Sequence, residues 1–344
     1  MDSNCGLNKC LFNCFLTAVI TIAAIAVLDL VLYFGYAYFN VQKYYARDIK
    51  RWRDKELTKY GANPVWDEIA QPSDTFKASA LTGNSRNIWS LQTDGNMFIC
   101  KKPCDGTDDL TFWRKYEGPS SATSQISVSD TGIWGVSKDS STYSNTTGAW
   151  ENKGSWTRQP GVGLINIAMG PRGWVWGVNK QGSIYKCVSQ WKCGRDWEDM
   201  SIKAMARVVT GYKGKGRKRK PVYRSILRQV PAVQVAVGNQ WVWALTQDGG
   251  VYYSNIVVSR GKKKQAPKWT ALNIPEGLKL IAVGLSDNLY AVGNSNKLYK
   301  CNNSASPKAT WSEIKGAPNL TYLNVNNEMY GVDTNGLMWT SELL

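Results

Sequence analysis

The chain has 344 residues, sixteen of them Trp, with 42 Lys and Arg against 26 Asp and Glu and a formal net charge of +16. So many large apolar side chains exclude a disordered chain, and the charge calls for an acidic partner: anionic lipid, nucleic acid or an acidic protein surface. There is no His, which removes His-based acid–base catalysis, Ser-His-Asp and Cys-His pairs, and every His-containing metal site.

Residues 1–10 form a short tail. From Leu11 to Phe39 the stretch LFNCFLTAVITIAAIAVLDLVLYFGYAYF holds one formal charge, Asp29. As a helix it reaches about 42 Å, more than a hydrocarbon core of about 30 Å, so a tilted transmembrane helix is expected over 11–39, with the lipid bilayer as its partner. Tyr33, Tyr36 and Tyr38 cluster at its C-terminal end, where an interfacial aromatic belt sits. A cleaved signal peptide fits less well, because only Lys9 precedes the apolar run and the run is too long. A carboxylate is costly at mid-membrane, so Asp29 marks a functional position or is held protonated or near the interface. Cys5, Cys10 and Cys14 read either as acylation sites or as plain thiols.

Residues 40–62 read as a basic amphipathic stalk. Val41, Tyr45, Ile49 and Trp52 recur at helical spacing with Lys and Arg between them, the pattern of a helix lying on an anionic surface or standing as a solvated connector. Seven basic side chains from Lys43 to Lys59 follow the span, and one, Lys9, precedes it. That asymmetry puts the C-terminal bulk of a single-pass protein on the cytosolic side. Sequons at Asn145, Asn302 and Asn319 point weakly the other way.

Residues 63–344 form the next region, and from residue 76 onward the sequence is self-similar. LINIAMGPRGWVWGVNKQGSIYKC from 164, AVQVAVGNQWVWALTQDGGVYYSN from 232 and LKLIAVGLSDNLYAVGNSNKLYKC from 278 share one frame. An alternating apolar run, a turn, an aromatic-x-Val/Leu run, a second turn and a third aromatic run follow one another, which predicts three short strands. Asp94-Gly95, Gln181-Gly182, Asp248-Gly249 and Asn335-Gly336 mark the second turn, with Asp139-Ser140 and Asn296-Lys297 in the remaining two units. The inner aromatic is Trp89, Trp134, Trp176, Trp243, Tyr290 and Tyr330, so there are six units. A fourth strand opened by Trp follows five of them, at Trp113, Trp156, Trp197, Trp269 and Trp311. The sixth unit lacks one. VWDEI at 65–69 matches TWSEI at 310–314 at Trp66, Glu68 and Ile69. It is expected to supply the missing outer strand and close a six-bladed, all-β propeller, protecting the strand edges.

The units ISVSDTGIWGVS, IAMGPRGWVWGVN and IAVGLSDNLYAVG, the last followed by the W-x-x-I element WSEI, resemble tectonin repeats over about 65–344. FICKKPCDG and IYKCVSQWKC are similar to the fish-egg lectin branch, which carries Cys after the third strand. The resemblance implies a β-propeller and non-enzymatic binding, often of carbohydrate, with no cofactor.

The outer-strand spacing widens between Trp197 and Trp269, which exposes a basic insertion at 201–231. It holds Lys213, Lys215, Arg217, Lys218, Arg219 and Lys220. A second basic loop, with Arg260, Lys262, Lys263 and Lys264, interrupts the same blade. These ten cations and no acid read as a docking site for phosphate, anionic lipid or an acidic protein, or else as a solvated loop. Should the strands run from inner to outer in each blade, the two loops fall on opposite faces. Trp174 and Trp241 precede inner aromatics by two residues, as glycan-stacking or protein-contact residues do, or simply as packing on the rim. Cys100 with Cys104 and Cys187 with Cys193 are spaced to close local loops in an oxidising compartment, leaving Cys301 odd. A zinc site would need four ligands from separate blades. Asp130-Thr131-Gly132 matches the aspartic-protease triplet but falls on a repeat turn.

Two functions fit. One is a structural interaction module that tethers a membrane to an acidic partner or an assembled shell. Its layout is similar to that of membrane-linked minor capsid proteins of large DNA viruses, which implies a larger assembly such as a virion with an internal membrane. The other is a membrane-anchored lectin.

Overall fold

The computed structural model describes residues 64–342, apart from 74, 103, 105–111, 120–121, 146–154, 188–192, 194–195, 214–218 and 257–266. The span expected at 11–39 and the stalk at 40–62 lie outside the described residues. No helix among the described residues is long and apolar enough to cross a membrane.

Six four-stranded antiparallel sheets follow one another along the chain, each ordered from first strand to fourth. Blade three is typical, with strands Leu164–Met169, Val175–Asn179, Ile184–Cys187 and Trp197–Asp199. The turn between strands two and three needs positive φ, and Gly95, Gly182, Gly249 and Gly336 supply it at 75–95°. In the two units without that glycine, Ser140 (φ 68°) and Asn296 (φ 64°) take the left-handed conformation instead.

Blade six consists of Leu320–Val325, Glu328–Asp333 and Met338–Glu342, and its fourth strand comes from the other end of the domain. Asp67 faces Thr340 and Glu68 faces Trp339 in antiparallel register. The Ile69 amide donates to the Met338 carbonyl at 2.8 Å, and the Ser341 hydroxyl donates to the Val65 carbonyl at 2.7 Å. Blade six is thus made of both ends of the domain.

The core is divided by junction. Six buried apolar clusters lie among the described residues, each drawing on two neighbouring blades. The inner aromatics Trp89, Trp134, Trp176, Trp243, Tyr290 and Tyr330 are all buried within them. A small residue follows each inner aromatic for steric reasons. A Cβ on Gly331 would lie 2.5 Å from a methyl of Leu320 and 3.4 Å from the Trp66 ring.

Two sets of polar clasps tie blade to blade. The first depends on a bulge near the start of every first strand, such as the shifts at Thr123/Gln125, Leu164/Asn166 and Ala232/Gln234. A bulge re-aims the next side chain. Here Gln125, Asn166 and Gln234 accept from the amides of Ile167, Val235 and Ile281 in the following blade, at 2.8–2.9 Å. The second set uses the Trp that opens each outer strand. Its indole N–H donates to a backbone carbonyl just past the preceding outer strand. Trp113 reaches Ala70, Trp156 reaches Glu117, Trp197 reaches Pro160, Trp269 reaches Met200 and Trp311 reaches Asn273, at 2.7–3.0 Å. Trp66 breaks the series. Its Nε1 is buried and has no hydrogen-bond partner.

Candidate functional site

The basic insertion, expected as a loop, is a pair of long strands. Lys203–Lys213 and Lys220–Gln229 form a two-stranded antiparallel sheet separate from the blades. At about 3.3 Å per residue such a ribbon is roughly 33 Å long. The Val230 amide closes its base on the Ile202 carbonyl at 2.9 Å, and Gln229 Nε2 donates to Ser183 Oγ at 2.9 Å. Beyond that base almost every residue is exposed or half-exposed. The alternation that builds the strands is visible in KAMARVV and PVYRSILRQ, but its period breaks at a register shift between Val209 and Gly211.

Lys213 ends the first strand opposite Lys220, and the Arg219 guanidinium lies 5.5 Å from the Tyr212 ring centre. Lys215, Arg217, Lys218, Arg260, Lys262, Lys263 and Lys264 lie outside the described residues, as do Asp29, Tyr33, Tyr36 and Tyr38. The insertion also brings cations that a search for dense charge runs passes over. Lys203, Arg207, Arg224 and Arg228 lie on the strands, so that 201–231 carries ten Lys and Arg and no Asp or Glu.

Strand direction assigns the faces. Because each blade alternates direction from inner to outer strand, its one–two and three–four connections share one face of the ring, and the two–three turns and blade-to-blade connections share the other. The ribbon joins strand four of blade three to strand one of blade four, so it leaves from the second face. The chain enters at Pro64, ahead of the closing strand, on the first. Strand Val251–Asn255 ends and strand Thr270–Ala271 begins on that first face too, opposite the ribbon.

Trp174 and Trp241 open second strands and therefore also sit on the first face. Both are half-buried and packed against the core. Lys186 lies 4.3 Å from the Trp174 ring centre, and Trp241 meets Tyr253 edge-on at 5.7 Å. Burial pushes the Lys186 ammonium below its usual range, opposed by the Glu198 carboxylate. These contacts pack both Trp side chains within their own blades.

Cys100 is bonded to Cys104, and Cys187 to Cys193, each bond closing a three–four connection on the first face. Cys301 holds the corresponding strand position in blade five as a buried thiol, pushed up to about 12 by burial. Asp130 does not act as half of a catalytic dyad: its carboxylate accepts from the Ser85 amide and hydroxyl at 3.1 and 2.7 Å, pinning blade two to blade one. A central cavity of about 70 Å³, lined by the first strands of blades two to six, holds no carboxylate or cation.

Residues 74–217 match the family model of the tectonin domain. That stretch is similar to a tectonin domain. No curated protein matches it as a relative. Among solved structures the propeller is similar to the β-propeller domain of Cps50 (Swd1) from Myceliophteria thermophila, with a TM-score of 0.52 and 9% identity over 81% of this chain and 100% of that one. It also matches U3-55K (TM-score 0.48, 8% identity, 82% of this chain and 99% of that one) and human WBSCR16 (0.47, 11%, 79% and 74%). At such identities the likeness is one of fold alone.

Proposed function

We propose that the chain is a membrane-anchored interaction module that holds a membrane to an acidic partner or an assembled shell, without catalysis. The propeller is the rigid body of that module. The observation that carries the reading is the ribbon: ten cations and no acid, on a strand pair that leaves the ring on the face opposite the one where the chain enters. A device that links two surfaces needs its two attachment points on different sides. The apolar run at 11–39 supplies the membrane attachment in this reading, with Asp29, Tyr33, Tyr36 and Tyr38 in or near the bilayer. The basic side chains of the ribbon supply the other attachment. The absence of His and the uncharged central cavity favour binding over chemistry.

The charge flanking the span favours a propeller on the cytosolic side of a single-pass protein. Two local disulfides are unusual in a reducing compartment. A membrane-containing particle such as a virion, in which a cytosol-facing domain becomes enclosed, accommodates both features, and a minor capsid role is the form of the proposal that fits them.

The test uses full-length protein in detergent micelles or reconstituted vesicles. Protease protection reports which side the propeller occupies. Binding to anionic surfaces that falls steeply between low and high salt is the expected result. Sugar-competable binding on a glycan array that survives high salt would replace this reading with a lectin.

A further inference from the structure

The ribbon has two unlike sides. Residues paired across an antiparallel ladder point to the same side. Met205 pairs with Leu227, Val209 with Tyr223 and Tyr212 with Pro221, and the register shift at Val209 keeps Tyr212 on the side of the other two pairs. Met205, Leu227, Tyr212 and Tyr223 are 57–69% exposed. Single exposed apolar side chains are ordinary, but these pairs form a row broken on their side only by Arg207–Ser225, and a row of exposed apolar side chains marks a binding surface. The other side exposes Arg224, Arg228, Lys213 and Lys220, with Val208, Val222 and Ile226 half-exposed among them. Both outer edges of the pair lack a further strand among the described residues. A lone two-stranded ribbon is marginal in water, and no element among the described residues covers this one.

We infer that the ribbon docks an acidic strand of another protein, which adds to one of its edges. A strand that alternates apolar and acidic residues matches both sides at once. Its apolar side chains extend the Met205–Tyr223 stripe, and its carboxylates face the Arg224 and Arg228 side. Added strands take affinity from main-chain hydrogen bonds and specificity from alternate side chains. Other occupants fit less well. Nucleic acid would engage the cations and leave Met205 and Leu227 uncovered. A membrane-inserting finger carries apolar residues at its tip, whereas the sequence between the two strands reads Gly214-Lys215-Gly216-Arg217-Lys218. A second ribbon or the 40–62 stalk is itself basic.

This inference rests on the ribbon being the partner-binding element, and the experiment separates the two. Full-length protein in micelles is titrated with a short fluorescent peptide of alternating Val and Glu, with a Ser/Glu peptide of equal charge, with phosphatidylserine vesicles and with duplex DNA. The Val/Glu peptide is expected to bind about tenfold tighter than the Ser/Glu peptide, the scale of burying one or two apolar side chains. Amides of one ribbon edge gain protection from hydrogen exchange on binding. Met205→Ser with Leu227→Ser removes the tenfold advantage and leaves Ser/Glu binding unchanged, while Arg224→Gln with Arg228→Gln weakens both. Equal affinity for the two peptides, or tighter binding to vesicles or DNA, overturns the acidic-strand inference but keeps the anionic partner. Failure to bind any of the four overturns both.

Discussion

The ring and the ribbon are built from the same kind of strand but treat apolar side chains in opposite ways. Trp176 lies wholly inside a two-blade cluster, whereas Met205 is 69% exposed on a strand pair that touches the ring at its base. Each ring strand has sheet neighbours and a packed face, so its side chains are fixed by several elements at once. The ribbon has one ladder and two open sides. A residue buried by several elements serves stability, and the same kind of residue left open on a regular strand is available to something else.

The strongest way to break the ring is to remove its closing strand. Deletion of 64–70 is expected to abolish the single cooperative unfolding transition in calorimetry and to promote aggregation through the bared edge at Met338–Glu342. Trp176→Ala should cost about 3–5 kcal/mol in denaturant unfolding, the range for a fully buried Trp. A smaller change tests the clasps alone. Trp113→Phe keeps most of the ring volume but removes the donor to the Ala70 carbonyl, for an expected loss of about 1–3 kcal/mol. Trp66→Phe should change stability by less than about 0.5 kcal/mol, because its indole N–H has no partner to lose. Equal costs for the two would mean that the clasps are ornamental.

A third test is pH. Hydroxyl and amide donors hold the turn carboxylates below their usual range: Asn96 for Asp94, Ser137 for Asp139, Thr246 for Asp248 and Ser295 for Glu276. A carboxylate depressed in the folded state stabilises above its unfolded pKa and loses that contribution as pH falls through the folded value. Ring stability should therefore drop below about pH 4. Asp248→Asn should make that drop shallower in acid titrations followed by Trp fluorescence. A drop of unchanged steepness would remove Asp248 from the set.

Much of the ring is legible in the sequence because repetition averages out local ambiguity. Six inner aromatics and five outer-strand Trp residues define a frame, and the frame makes Trp66 conspicuous as the absent sixth. What the indole N–H does is not legible, since its partner is a carbonyl in the preceding blade, and a carbonyl leaves no mark on the sequence. Nor do the bulges, which depend on where one residue is inserted into a ladder. The cysteine spacings at 100/104 and 187/193 allow local loops, but pairing depends on where each side chain falls after its strand. The ribbon is missed for a different reason. Its charge density suits a loop, and the extra residue at Val209–Gly211 interrupts the alternation just where the second half of the strand would confirm it.

The smallest expected effect sharpens the comparison most. Replacing Met205 and Leu227 together by Ser removes two large apolar side chains facing each other across a ladder. In the ring a comparable loss costs several kcal/mol. On the ribbon the side chains are already 69% and 61% exposed, so little transfer free energy remains to be lost. Surface changes of this kind usually stay within about 0.5 kcal/mol. The thermal transition of the full chain should therefore stay put. A fall as large as that of Trp176→Ala would mean that something within the molecule covers the stripe, and that its apolar side serves folding. An unchanged transition leaves the stripe with no structural duty, and a row of exposed Met, Leu, Val and Tyr on one side of a strand pair then has binding as its remaining use.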